Sequence, residues 1–268
     1  MIPIRFSRFP GGRTLAVTLS YDDGHIHDRR MVQILDRHAL KGTFHLNSGN
    51  LGKGECLAPE EIGELFRNHE VSAHTVTHPH LDQLPAEQLA WEVLEDRRGL
   101  ERRVGYPVRG MSYPYGTVNA EIAAMLPRLG IDYCRVGTSH GRFDLPGDLL
   151  RWEPTCHHND QLLDRTEKFL ASRSRSDRLR LLYVWGHSFE FHRQGNWDLL
   201  DRFGERLAGE GESVWFATNI DIADYLQSLR RLQVSVDGTL IRNPSHRPLS
   251  ILWGESPREI TPGALVSF

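Results

Sequence analysis

The chain has 268 residues, 39 % of them apolar and 25 % charged, with a formal net charge of -3. This composition suits one large α/β domain or two ordinary ones and excludes a disordered chain. It offers no basic field for nucleic acid, no apolar stretch long enough to span a membrane, and no cysteine spacing (Cys56, Cys134, Cys156) that suggests disulfides or a zinc knuckle.

The opening "MIPIRFSRFPGG" lacks the apolar core of a secretory signal, so with Met1 as the native start a cytoplasmic location is expected. A first strand is predicted over Leu15 to Ser20, then a helix over Asp28 to His38 with Met31, Ile34, Leu35 and His38 on one face. "KGTFHL" supplies a strand at Thr43 to Leu46, and a helix is predicted to begin near Pro59. "EVSAH" is a strand ending at His74. "LPAEQLAWEVLEDRRGLERRVG" is a long helix with Leu89, Val93 and Leu94 inward. "NAEIAAMLPRLG" is helical up to Pro127, "IDYCRV" a strand that buries Cys134, and "LLRWEP" an irregular strand. "DQLLDRTEKFLAS" is a helix, and the basic run at 172–180 reads as its solvated end and a loop. "RLLYVWG", "NWDLLDRFGERLAGEG", "SVWFAT" and a last helix capped by Asn219 complete the alternation.

Repeated βα units with near-continuous apolar strands predict a parallel sheet covered by helices, in about seven units. A distorted or incomplete barrel is preferred to a doubly wound sheet. Residues 231–268 carry short alternating runs broken by "DG", "NP" and "PG", which predict a small β-rich C-terminal appendage to a domain at 1–230.

Chemistry gathers at strand ends, where parallel α/β folds bind ligands. "SYDDGHIHD" places Asp22 and Asp23 side by side, and adjacent carboxylates repel unless a positive charge sits near them. In "SAHTVTHPHL", a helical turn over Thr75 to His78 would aim His74 and His78 the same way, with His80 redirected by Pro79. Two imidazoles and one carboxylate, Asp22 or Asp23, form a common zinc ligand set, and the same donors suit cobalt, nickel or iron. His187 ends the most apolar strand and can carry a proton near neutral pH.

These motifs resemble the polysaccharide deacetylase family, the carbohydrate esterases with a NodB homology domain. "LSYDDG", "HTVTH", "RGMSYPYG", "LRWEP" and "LYVWGH" are similar to its five motifs, in order, across roughly residues 12 to 230. The resemblance implies an irregular (β/α)7 barrel and a single divalent metal held by Asp23, His74 and His78. It implies Asp22 as catalytic base, His187 as general acid, the Tyr115 N–H as oxyanion donor and Arg109 as the arginine contacting the base. Tyr113, Tyr115 and Trp152 would line the sugar site. The fourth motif lacks the aspartate that orients the acid histidine, for which Glu153 or Asp160 are the substitutes.

The implied activity is metal-dependent removal of an N-acetyl group from an N-acetylated sugar or oligosaccharide, with no nucleic-acid or membrane partner. Hydrolysis of a non-sugar C–N bond and a catalytically silent carbohydrate-binding module are the alternatives. Release of acetate, release of another amine, or sugar binding without turnover separates the three.

Overall fold

The computed structural model describes residues 3–175 and 178–268. A two-residue strand, β1 (Ile4–Arg5), precedes the central strand β2 (Leu15–Asp22), all eight residues of which are buried. Helix α1 (Asp28–Arg37) leads to β3 (Gly42–Leu46), the four-residue α2 (Ile62–Leu65) to β4 (Glu70–Ala73), and α3 (Ala86–Val104) to β5 (Gly110–Ser112). Next come α4 (Ala120–Met125), β6 (Tyr133–Arg135), β7 (Cys156–His157), α5 (Leu162–Ala171) and β8 (Arg180–Gly186). Helices α6 (Ser188–Gln194) and α7 (Trp197–Leu207) precede β9 (Val214–Phe216) and α8 (Asn219–Arg230).

The strands form one curled sheet in the order β6-β5-β4-β3-β2-β8-β7, with β9 added beside the first half of β2. Every pairing in it is parallel, so both faces of β2 are covered, and all its residues are buried, the polar Thr18, Ser20 and Asp22 included. Trp152 exchanges hydrogen bonds with β6 (Trp152 N to Cys134 O, 2.9 Å; Val136 N to Trp152 O, 3.1 Å), and Thr155 N reaches Tyr183 O on β8 at 2.8 Å. That segment draws the two edges together into a distorted (β/α)7 barrel of the NodB type. Trp152 itself is 1 % exposed and packs edge-on against Tyr133 and Tyr183, so it is core and not a sugar platform.

The C-terminal strands are β10 (Gln233–Val234), β11 (Leu240–Arg242), β12 (Leu249–Trp253), β13 (Ser256–Ile260) and β14 (Leu265–Ser267). They make two antiparallel sheets, β10-β11-β14 and β1-β12-β13. The second recruits the N-terminal strand through Ile4 opposite Trp253, a long-range pairing that no local pattern encodes. Asp224 on α8 ties the parts together by accepting from Arg109 (2.7 Å) and Arg247 (2.9 Å).

Several local expectations change. The helix expected near Pro59 shrinks to α2 because Gly63 abuts the end of α3, where a Cβ would stand 2.6 Å from Arg103 O. Leu94 faces solvent at 40 % exposure, and Leu100 joins Leu89 and Val93 inside. The irregular "LLRWEP" strand is a 3-10 turn, Leu149–Arg151, followed by the Trp152 bridge. In the basic run, Ser172–Arg175 form a 3-10 turn after α5, and residues 176–177 lie outside the described residues. Among the described residues no helix is long and apolar enough to cross a membrane.

The cap of α8 is Thr218, in a capping box with Asp221, and Asn219 is core. Asn219 accepts from Thr18 Oγ1 (2.8 Å), donates its amide to the Tyr183 hydroxyl, and gives its backbone N–H to Thr43 Oγ1 (2.9 Å). Removing one member of a buried set strands the others. Asn219→Ala is therefore expected to cost about 2–3 kcal/mol, read as a lower urea midpoint at unchanged slope.

Candidate metal centre

Strand β2 ends at Asp22, which is buried, and the chain then turns through a left-handed Asp23 (φ 79°) whose N–H donates to His45 O at 2.9 Å. That turn sends the two neighbouring carboxylates in different directions. Strand β4 ends at Ala73, and the loop after it does not form the expected helical turn. Instead Thr75 (φ 69°) and His78 (φ 59°) are left-handed, which brings the two imidazoles together by another route. Such conformations cost on the order of 1–3 kcal/mol each and persist only where the surroundings enforce them. Two buried carboxylates of α3 do so. Asp96 accepts the His74 N–H at 2.9 Å, and Glu92 accepts the N–H of Thr77 at 2.9 Å and its hydroxyl. Asn47 adds its side-chain amide to His74 O and Thr75 O.

Asp23 Oδ1 lies 3.7 Å from both His74 Nε2 and His78 Nε2. One ligand atom from each residue falls within 4.8 Å of the other two, a spacing that admits a cation between them. The tautomer fits as well. His74 Nδ1 stands 2.9 Å from Ser112 O, and a carbonyl can only accept, so Nδ1 holds the proton and Nε2 presents its lone pair to the cluster. Burial also lowers the His74 pKa against the pull of Asp22 and Asp23, which favours the neutral, ligating form. His80 is not part of the cluster. It stacks on Tyr115, ring centroids 3.9 Å apart.

Asp22 faces a different environment. Burial opposes its ionisation, but the Arg135 guanidinium, hydrogen-bonded to Asp22 Oδ2, and then His74 outweigh this and hold the carboxyl well below the usual range. Ser112 Oγ donates to Oδ1 at 3.2 Å. Arg135 is itself buried and lies over the Trp185 ring, its Cζ 4.5 Å from the centroid. Arg109, expected at this position, is elsewhere: its guanidinium is engaged by Asp132 and Asp224, 2.7 Å each. The geometric reason is register, since Arg109 precedes β5 whereas Arg135 ends β6 with its side chain inside the barrel. A lone arginine within the apolar run "IDYCRV" was the available signal.

His187 follows Gly186, where a Cβ would stand 2.1 Å from His158 Nδ1, so only glycine permits this approach. His187 Nε2 points toward Asp23 Oδ2 at 3.9 Å. Its backbone N–H donates to Glu190 Oε2 at 2.9 Å, and Nδ1 lies 3.3 Å from the same oxygen. His157 Nε2 reaches that oxygen too, at 3.0 Å. Burial alone would raise the Glu190 carboxyl, but the bonds from His157 and His187 hold it far down. Glu190 is thus the carboxylate beside the histidine. Of the expected substitutes, Glu153 is exposed and Asp160 pairs with Arg165 at 2.6 Å. The signal was the spacing in "HSFE", a capping box at the start of the short helix α6.

Asp22, Asp23, His74, His78, Arg135 and His187 open onto one cavity of about 550 Å³, walled by Tyr113, Tyr115 and Trp185. Tyr115 is left-handed (φ 56°) and its ring is exposed beside His78. Residues 11–134 match the family described as Polysaccharide deacetylase. This stretch, a little under half of the chain, is similar to a polysaccharide deacetylase domain. The chain is 27 % identical over 109 residues to a peptidoglycan-N-acetylglucosamine deacetylase of Listeria monocytogenes, covering 40 % of this chain and 23 % of that one. It is 28 % identical over 122 residues to a chitooligosaccharide deacetylase of Bradyrhizobium sp. (strain ANU 289), covering 44 % and 54 %. The match thus spans about a quarter and about half of the two relatives. A solved structure from Mycobacterium smegmatis shares the fold, with a TM-score of 0.65 at 16 % identity over 86 % of this chain and 96 % of that one.

His157, His187 and Glu190 meet the same spacing, but their contacts with one another bind Glu190, so the divalent ion is expected at Asp23, His74 and His78. In titrations of metal-free protein followed by calorimetry, His78→Ala is expected to weaken Zn²⁺ binding by more than about 100-fold, and His80→Ala to leave it unchanged.

Proposed function

We propose that this chain is a metal-dependent hydrolase that removes the acetyl group from an N-acetylated sugar or oligosaccharide. The observation that carries the reading is the convergence, in one cavity, of a His74/His78/Asp23 donor set with Asp22 on one side and His187 on the other. Residues 1–230 would form the working domain, with 231–268 as its appendage.

A divalent ion held by Asp23, His74 and His78, zinc in preference, would supply Lewis acidity and lower the pKa of a water to near neutrality. The chain's own groups do the rest. Arg135 and Ser112 keep Asp22 ionised and aimed into the cavity. A carboxylate held this firmly is a weak base, suited only to a water that is already acidified, and Asp22 takes that proton as the acyl carbon is attacked. The Tyr115 N–H, in its left-handed turn, stabilises the developing oxyanion. His187 then protonates the departing amine, since an amide nitrogen leaves poorly without a proton. Glu190, 3.3 Å from Nδ1 and bonded to the His187 backbone N–H, would pair with the protonated imidazole and favour Nε2 toward the reacting group, while His157 steadies Glu190 from behind. Tyr113, Tyr115 and Trp185 supply the aromatic walls against which a sugar ring packs.

Acetate release from N-acetylated chitooligosaccharides is the test, with and without chelator. Activity that is lost on chelation and restored by Zn²⁺ supports the reading. An amine released only from non-acetylated amides, or saturable sugar binding without turnover, would replace it. Asp22→Asn is expected to retain the metal and lose about 10²–10⁴ in kcat. Arg135→Ala should also reduce kcat, whereas Arg109→Ala should reduce thermal stability and leave kcat within about twofold.

The pH profile gives a second check. Burial lowers the His187 pKa, but Glu190 and the two aspartates outweigh it, so the imidazole keeps its proton to higher pH than usual. The acid is lost as pH rises through that raised value. Glu190→Gln removes a carboxylate that favours the imidazolium. Its basic limb in kcat/KM should therefore shift to lower pH, which stopped assays of acetate across pH 6–10 would read.

A further inference from the structure

The metal cluster sits on a divide. Asp23 and His78 line not only the cavity described above but also a second depression of about 370 Å³. The second depression is walled by Asn50, His25, Glu55, Phe189 and Arg193. A ligand lying across the cluster therefore has two lobes to fill, and their chemistry differs. The first lobe is aromatic. The second holds the guanidinium of Arg193, which forms no ion pair among the described residues.

Arg193 lies in the last turn of α6, its Cζ 4.3 Å from the centroid of the Phe189 ring. Phe189 in turn stacks on His187, centroids 5.0 Å apart, and lies 5.5 Å from His25. Among the described residues no carboxylate forms an ion pair with Arg193. Of the acids in this lobe, Glu55 lies 3.4 Å from His25 Nε2 with its side chain 72 % exposed, and Asp23 belongs to the metal cluster. An exposed guanidinium lying on an aromatic face at the edge of a cavity, with no ion-paired carboxylate among the described residues, can receive an anionic oxygen pair.

Resting on the reading of Asp23, His74 and His78 as the reaction centre, we propose that the substrate is an acidic N-acetylated oligosaccharide. Its acetamido sugar occupies the aromatic lobe, and a neighbouring unit bearing a carboxylate or phosphate meets Arg193 in the second lobe. Asn50 and His25 lie at hand for the hydroxyls of that unit. Arg193 is a specificity residue: it selects which chain is presented to the centre and takes no part in the bond that breaks.

The test compares three probes with the metal-loaded full chain: a tetrasaccharide of alternating glucuronic acid and N-acetylglucosamine, the same compound with its carboxylates reduced to alcohols, and an N-acetylglucosamine disaccharide carrying a 6-phosphate on the neighbouring unit. The wild type should favour the acidic tetrasaccharide over its reduced form by about tenfold in kcat/KM, chiefly through KM, and the preference should shrink with added salt. In Arg193→Gln the ratio should fall toward one, with partial recovery in Arg193→Lys. A phosphate arm that is preferred instead identifies phosphate as the anion. Equal use of acidic and neutral probes by the wild type, or an unchanged ratio in Arg193→Gln, overturns the proposal. If no probe releases acetate, the deacetylase reading has failed. Calorimetric binding then decides the Arg193 proposal alone: tighter binding of the acidic probe that is lost in Arg193→Gln supports it, and equal binding rejects it.

Discussion

Two carboxylates on adjacent residues cannot both be ionised in a buried cleft unless each has its own compensating charge. The structure separates them by one left-handed residue. Asp22, the last residue of β2, turns inward to a buried arginine. Asp23, at φ 79°, turns outward to two imidazoles. Everything else at the cavity follows from that division. Asp22 is held ionised by the fixed charge of Arg135, whereas Asp23 faces the imidazoles of His74 and His78, a donor set that suits a cation.

The fold supplies the parts from separate strand ends, as parallel α/β architectures do. β2 contributes the acids, β4 the paired imidazoles, β6 the arginine and β8 the last histidine. None of these side chains stands alone. Asp96 and Glu92 fix the strained loop that carries His74 and His78, Ser112 links His74 to Asp22, and Glu190 joins His187 to His157. Of the six left-handed residues other than glycine among the described residues, Asp23, His78 and Tyr115 line this one cavity, and Thr75 lies in the loop between His74 and His78. Strain concentrated at one place and held by buried hydrogen bonds is the mark of a preorganised site.

What the sequence made legible was whatever local chemistry determines. The βα alternation, the apolar strand β2, the acid pair, the histidine pair and the terminal histidine of β8 are all written in short runs. What it concealed depends on tertiary placement. Arg109 and Arg135 are both arginines beside strands, and only the direction in which each side chain leaves its strand decides which meets Asp22. Trp152 looks like a binding aromatic until the barrel closes over it. Glu190 has its contact with His187 encoded locally, as a capping box three residues on, but its second partner, His157, comes from another strand and only the fold brings it there. The pairing of Ile4 with Trp253 joins the two ends of the chain, and no window of sequence contains both.

The most direct measurement of the central division between the two aspartates is a crystal structure of the zinc-loaded protein with anomalous data at the zinc edge. The account predicts a single peak about 2.0–2.2 Å from Asp23, His74 Nε2 and His78 Nε2, with Asp22 uncoordinated and still bonded to Arg135. A peak on Asp22, or one confined to His157, His187 and Glu190, would contradict it.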